Sequence, residues 1–519
     1  QGQAVTDPTR ELARGLVTKR HRDRVEVEVT PAHSGLTPER LTELAELCSR
    51  PLPKNPAEIP ITPCMGREGR ALDIMSESES FRLTGILAGG LAVMLTFLLG
   101  ELMFGWLVAL LGSLLFIFVP EHFFHGFMAC FDMPIVALQM LTIYAFWRSL
   151  EDRRWALVAG LAWGLALLTK HNAFFVPFSL IVFWLWAGKD EFAVRWVGLR
   201  EGLVRVQLPR FPLAFLVMPI LGLTMLFAWW PRLWYDPLQS LRDWFGFHIH
   251  HEHYMQYWFG EPLQVPPFPI SYPFEKTLLT YPEVLLVLLP IGTLFLVPPA
   301  AIRVYLTGLW AGLMARVRRT PRPARRSAPL SPSAKVAIFL LVNGLVPLLV
   351  IALPSTPIFG GIKHWMTGTP FLALVAAYGL FRLTAALRLP TWAAAMAAVL
   401  VIAHPIKSSI DNAWLGTNHY NTIFAGGLQG AADDKLMRIF WGHEARYAAD
   451  WLNANAPLNA RVYWQDATWG TYEMYQREGW LRHDIRYLGD YVGADIALNE
   501  TLQALWEPDQ RARRALDVA

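Results

Sequence analysis

FPLAFLVMPILGLTMLFAWW (211–230) and KVAIFLLVNGLVPLLVIALP (335–354) decide the fold class. The first has no charged residue in twenty positions, and the second has only its leading lysine. A helix of that length rises ~30 Å, enough to cross the hydrocarbon of a bilayer. The rest of the chain agrees: of 519 residues 54% are apolar and 17% charged, too little charge to clothe a soluble protein of this length. Twenty-two tryptophans suit the aromatic belts of a membrane protein. The sequence reads as an all-α polytopic membrane protein.

Similar runs place ten expected spans at 84–100, 104–119, 131–148, 155–169, 173–188, 211–230, 280–300, 335–354, 365–384 and 391–405. Lysine and arginine counts orient them. Arg148, Arg153 and Arg154 mark one loop, and Lys189, Arg195, Arg200, Arg205 and Arg210 a second. RVRRTPRPARR (316–326), in a Pro-, Arg- and Ser-rich linker spanning 301–335, marks a third, and Arg388 a fourth. With ten spans these loops share one side, the cytoplasm. The basic linker is explained by that topology and by anionic headgroups, so membrane lipids rather than nucleic acid are the implied partner. Residues 1–83, 120–130, 170–172, 231–279, 355–364 and 406–519 then face outward, and all 14 histidines lie in or at the edge of those segments.

The chain begins with Gln and shows no signal peptide at its start, so an outward N-terminal segment implies an upstream helix and eleven spans in the intact protein. Residues 1–83 are expected as the first outer loop, 84–405 as the transmembrane domain, and 406–519 as a small soluble α/β domain. EARYAADWLNANAP (444–457) has the spacing of an amphipathic helix, and ARVYWQ (460–465) that of a strand. Three cysteines at irregular spacing form no zinc motif and no disulfide framework, although Cys48 and Cys64 could pair in an oxidising compartment.

Chemistry concentrates outside. PEHFFHGFMACFDMP (120–134) sets Glu121, His122, His125 and Asp132 at the membrane surface. Asp132 falls at or just inside a helix N-terminus, so a helix cap competes with a functional role. Lys170 and His171 sit in a tight outward turn, where positive-inside statistics disfavour lysine, and Lys363 and His364 precede another span. Two such pairs at one membrane depth suggest a site for an anion such as a lipid phosphate. FHIHHEHYMQYWFGE (247–261) follows LQSLRDWFGFHI (238–249), whose apolar spacing suits a helix lying on the bilayer. Neither helix nor strand geometry gathers His248, His250, His251 and His253 on one face, leaving at most a half-site completed by Glu252 or a distant acid. No metal set is firm here, and a divalent ion remains possible. Sugar contact by these histidines and Tyr254, or interfacial packing, are the other readings.

Several motifs carry a family resemblance: HGFMACFDMPIVALQMLTIYAFWRSLE (125–151), WALVAGLAWGLALLTKHNAFFVPF (155–178), LWYDPLQSLRDWFGFHIHHEHYMQYWFGE (233–261), GGIKHWMTGTPFLALVAAYGL (360–380), and FAGGLQGA with YAADWLNANAP (424–457). Over roughly residues 84–465 the chain resembles bacterial GT-C membrane glycosyltransferases of the protein O-mannosyltransferase-like type, glycosyltransferase family 39. The resemblance implies inverting transfer of a sugar from a polyprenyl-phosphate donor to a lipid, glycan or protein hydroxyl. It places the reaction on the outer face of a bacterial inner membrane. It also implies an acidic general base early in the first outer loop and basic residues on the donor phosphate. No family-like acid stands in residues 1–83, which puts the base upstream of this chain or in a diverged loop. Within the visible sequence Asp132 and Glu121 are the catalytic candidates. Lys170, His171, Lys363 and His364 are those for the phosphate, and His122, His125, His248, His250, His251, His253 and Tyr254 for sugar or acceptor. A non-catalytic GT-C-like subunit of an envelope complex is the alternative. A histidine-rich metal transporter fits less well, because the spans hold almost no midplane polar residues.

Overall fold

The computed structural model describes residues 13–20, 25–31, 75–189, 191, 193–195, 205–207, 209–249, 256–297, 331–358, 360–438, 445–464 and 467–498. Two units divide the chain, residues 1–61 and 62–519. In the first, β1 (Ala13–Arg20) and β2 (Val25–Pro31) pair antiparallel. The alternation in VEVEVT (25–30) is the period-two signal for such a strand.

The second unit is mostly helical. Its chain runs through α1 (Glu77–Phe104), α2 (Trp106–Ile117), α3 (Pro120–Phe127), α4 (Asp132–Ser149), α5 (Trp155–Thr169), α6 (Val176–Ala187) and α7 (Ala214–Trp229). There follow α8 (Pro237–Ile249), α9 (Tyr272–Thr280), α10 (Glu283–Leu296), α11 (Pro332–Ile351), α12 (Thr369–Ala386) and α13 (Thr391–Asp411). A helix occupies each of the ten expected spans, and α8 lies where the surface helix was expected. Among the described residues, four helical stretches are individually long and apolar enough to cross a membrane: α1, α11, Met366–Ala386 and α13. The number is six if the bent pairs α2–α3, at 74°, and α9–α10, at 118°, each count as one span. These are the apolar helices of a multi-pass membrane protein. Their outer faces are apolar too: Ile220 on α7 is 64% exposed and Leu400 on α13 is 68% exposed. Such surface suits lipid and not water.

Two of the boundaries that differ from expectation have local causes. α1 starts seven residues before 84 because Ser76 and Glu79 form a capping box: Ser76 Oγ accepts from Glu79 N, and Ser76 N donates to Glu79 Oε2. α11 starts at Pro332, before 335, because Ser331 Oγ accepts from Ala334 N at 3.2 Å. Small residues then set how closely helices approach. A Cβ at Gly292 on α10 would lie 1.9 Å from the Val375 carbonyl oxygen on α12, and one at Gly379 would lie 2.6 Å from Gly292 N. Those two backbones touch only because both positions are glycine.

The C-terminal segment has its own apolar core, including Leu452, Val462, Trp464, Tyr472 and Ile485. α14 (Ala445–Asn455) ends before Pro457, as the amphipathic pattern indicates. β3 (Arg461–Trp464) is the central strand of a parallel sheet between β4 (Arg486–Leu488) and β5 (Ile496–Leu498), with α15 (Trp469–Arg477) intervening. This segment is fastened to the start of α1. Glu478 accepts from Ser78 N at 2.6 Å and Ser78 Oγ at 2.7 Å, and Arg477 pairs with Glu77 at 3.0 Å.

Candidate functional site

α3 and α4 meet the end of α5 and the loop 360–368 in a buried charged cluster. Asp132 is the first residue of α4, but the N-cap position, Phe131, makes no side-chain cap bond. Asp132 is instead paired: Lys170 Nζ donates to its Oδ1 at 2.6 Å. The aspartate is 4% exposed and the lysine side chain 16%. The cap reading therefore gives way to an ion pair between two helix ends. Lys170 is placed by local structure. It closes α5, donating its N–H to Ala166 O, and a 3-10 turn (His171–Phe175) follows. That turn is tied back by Trp163 Nε1 to Ala173 O at 2.8 Å and by Gln139 Nε2 to Asn172 Oδ1 at 3.3 Å. The lysine ammonium also lies 4.9 Å from the centroid of the Phe131 ring.

Glu121, 2% exposed, stands one helical turn from His125 on α3. Its Oε1 accepts from Ile362 N at 2.8 Å and lies 4.0 Å from His125 Nε2. The loop that donates to it turns through Gly360 and Gly361, with φ of +76° and +68°. A Cβ at Gly361 would sit 2.1 Å from Glu121 Oε1. Both the left-handed backbone and the carboxylate thus require glycine there. Gly361→Ala is expected to lower stability by about 3 kcal/mol, combining backbone strain with loss of a buried charged hydrogen bond. Thermal unfolding in detergent checks it, and an alanine variant melting like the parent would disprove the lock.

This loop delivers Lys363 to the same cluster. Asp132, Lys170, Cys130 and Glu121 all lie near enough to act on its charge. Burial is the dominant influence and pulls the Lys363 ammonium down to about 8, partly offset by the attraction of Asp132. Burial likewise pushes the Cys130 thiol up to about 12, with Asp132 adding to the effect. A further cation, Lys276 on α9, is 1% exposed and donates to Tyr420 Oη at 2.7 Å; that hydroxyl donates to Met437 O.

The structure thus brings together Glu121, Asp132, His125, Lys170 and Lys363, from sequence positions more than 200 apart. It does not bring all the candidates together. His122 is fully buried, edge-on to the rings of Phe116 and Tyr281. His125 is also fully buried, among the acids. His171 packs against Trp230 and Trp244, with ring centroids 5.5 and 5.1 Å away. His364 is half-buried beside Lys363. The side chain of His248, whose backbone belongs to α8, and residues His250, His251, His253 and Tyr254 lie outside the described residues. Lys276, Cys130 and the Ile362 N–H are members that sequence reading missed. The paired glycines before Ile362 were a visible signal for that N–H alone, marking a turn where backbone approaches something closely.

Residues 71–206 match the family model described as dolichyl-phosphate-mannose-protein mannosyltransferase. The chain is similar to GT-C glycosyltransferases of the protein O-mannosyltransferase type. Glu121, Asp132 and Lys170 fall inside the matched stretch, whereas Lys276 and Lys363 lie beyond it. Among solved structures, ArnT from Cupriavidus metallidurans in the apo state is similar at 15% identity, covering 83% of this chain and 75% of that one, with a TM-score of 0.40. The same protein bound to undecaprenyl phosphate gives 15% identity, 83% and 76% coverage and a TM-score of 0.40. The archaeal oligosaccharyltransferase AglB from Archaeoglobus fulgidus, in complex with an inhibitory peptide and a dolichol-phosphate, gives 12% identity, 80% and 55% coverage and a TM-score of 0.38. No curated protein matches the sequence.

Proposed function

We propose that this chain is a membrane glycosyltransferase that moves a sugar from a polyprenyl-phosphate donor to a lipid, glycan or protein hydroxyl, with inversion. In this reading ten spans cross a bacterial inner membrane, residues 406–519 form an α/β domain, and the site faces outward. The observation that carries it is the convergence of Lys170 and Lys363 on one cluster among apolar helices, in a chain whose residues 71–206 match the mannosyltransferase family model. The leaving group of such a transfer is a lipid phosphate, two ammonium groups neutralise the charge it develops, and the acceptor hydroxyl gives its proton to a carboxylate base. Asp132 and Glu121, each already engaged and buried, hold the two cations in place: Asp132 by pairing with Lys170, Glu121 by fixing the Ile362 turn that leads into Lys363.

The test is incubation of the purified protein with polyprenyl-phosphate sugars, following the sugar onto lipid, glycan and protein acceptors. Absence of transfer with every donor would leave the fold as a non-catalytic subunit. A pH dependence comes with the reading. Lys363, lowered to about 8, carries its charge below that pH and loses it above. The free enzyme's kcat/KM should therefore fall as pH rises through about 8. Lys363→Arg, always charged, should move that fall to higher pH, and an unchanged profile would remove Lys363 from the phosphate site.

A further inference from the structure

The link between α3 and α4 holds a second arrangement, whose spacing is that of ligands. His125 Nδ1 lies 3.6 Å from Asp132 Oδ2 and 3.8 Å from Cys130 Sγ. Donor atoms of all three residues lie within 4.8 Å of one another. A hydrogen bond between the imidazole and the carboxylate would measure about 2.7–3.2 Å, so 3.6 Å is too long for one. The 3.8 Å contact is within reach of a weak thiol hydrogen bond, and Asp132 also engages the thiol through its side chain and its backbone, so the three groups face one another. In a tetrahedral zinc site, bonds of about 2.0–2.3 Å place neighbouring ligand atoms about 3.4–3.6 Å apart. The two separations here exceed that by only about 0.2 Å.

The surroundings fit as well. Lys170 takes Oδ1 of Asp132, so Oδ2 is the oxygen turned towards His125. Behind the imidazole, Glu121 Oε1 stands 4.0 Å from Nε2, beyond hydrogen-bond reach but near enough to act on its charge. Cys130 is half-buried while its partners are buried, which leaves access from one side. We propose that His125, Cys130 and Asp132 bind a zinc ion with one coordination position open. Imidazole, thiolate and carboxylate suit zinc, and three protein ligands with a fourth place for solvent or substrate is the pattern of an open site. The thiol releases its proton to solvent as the zinc–sulfur bond forms, so binding strengthens with pH. Lys170 and Lys363 oppose the ion's charge, and the thiolate, Asp132 and Glu121 offset them. The inference stands apart from the transfer reading, because metal binding is measured without any donor.

The experiment uses the full chain carrying Cys48→Ser and Cys64→Ser, so that Cys130 is its one cysteine. Titration with cobalt(II) should give a thiolate-to-cobalt charge-transfer band that saturates at one equivalent and is displaced by zinc. His125→Ala should weaken this site at least tenfold. In the otherwise native chain, Cys130→Ala should lower bound zinc by one equivalent while leaving the melting profile in zinc-free buffer intact. Cobalt binding without the thiolate band would assign the metal to the histidine-rich segment and overturn the proposal. Equal zinc stoichiometry in Cys130→Ala would overturn it too, whatever the folding of the His125 variant.

Discussion

Removal of both lysine ammonium groups, in Lys170→Ala with Lys363→Ala, is expected to abolish sugar transfer while the protein remains in the membrane. Each single replacement should lower kcat about 10²- to 10³-fold, the range for loss of one well-placed donor to a developing anion. The effect belongs in kcat more than KM, because charge on the phosphate grows as the sugar–oxygen bond breaks. Lys363→Ala is the cleaner of the two, since Lys170→Ala also strips Asp132 of its 2.6 Å partner. Turnover assays with a lipid-phosphate sugar, beside melting curves for each variant, separate chemistry from folding. A double variant that retains full turnover would end the phosphate assignment.

The second large effect falls on stability. Asp132→Ala should destabilise the protein by about 3–5 kcal/mol, because it leaves Lys170 charged and largely buried with Lys363 nearby. Replacing the partner as well should recover much of that loss: Asp132→Ala with Lys170→Met removes both charges and keeps an apolar stem. Double-mutant analysis of thermal or denaturant unfolding in detergent reads the coupling directly. Additive effects would mean that the pair is not coupled in solution. Gly361→Ala acts on the opposite side of the cluster, so its effect should add to that of Asp132→Ala if the two anchors hold separate parts of the site.

The sequence carried the helices well for a definite reason. Apolar length and basic loops are one-dimensional quantities, and runs such as 211–230 and 335–354 leave a helix as the workable answer in hydrocarbon. The ends of α1 and α11 were also legible, in Ser76–Glu79 and in Ser331, although hydropathy alone passes over both. The same holds for α14 and β3, whose periodicities change at Pro457. Asp132, Lys170 and Lys363 stood out because charge beside apolar runs is rare. Cys130 and Lys276 did not, because nothing local distinguishes them from ordinary loop or helix positions, and the Ile362 N–H was marked only by the two glycines before it.

By itself, the sequence determined a helical membrane protein, the order of its helices, and a short set of polar residues with no reason to be where they are. Only the tertiary structure decided which of these meet. Lys170 reaches Asp132 across 38 positions, and the Ile362 amide reaches Glu121 across 241. It also decided that His122 belongs to the core and that His171 packs on tryptophan. The physical reason is that such pairings depend on how closely helices approach. That distance is set by contacts such as Gly292 against Val375 and by the Gly360–Gly361 turn, whose effects appear only once the chain is folded.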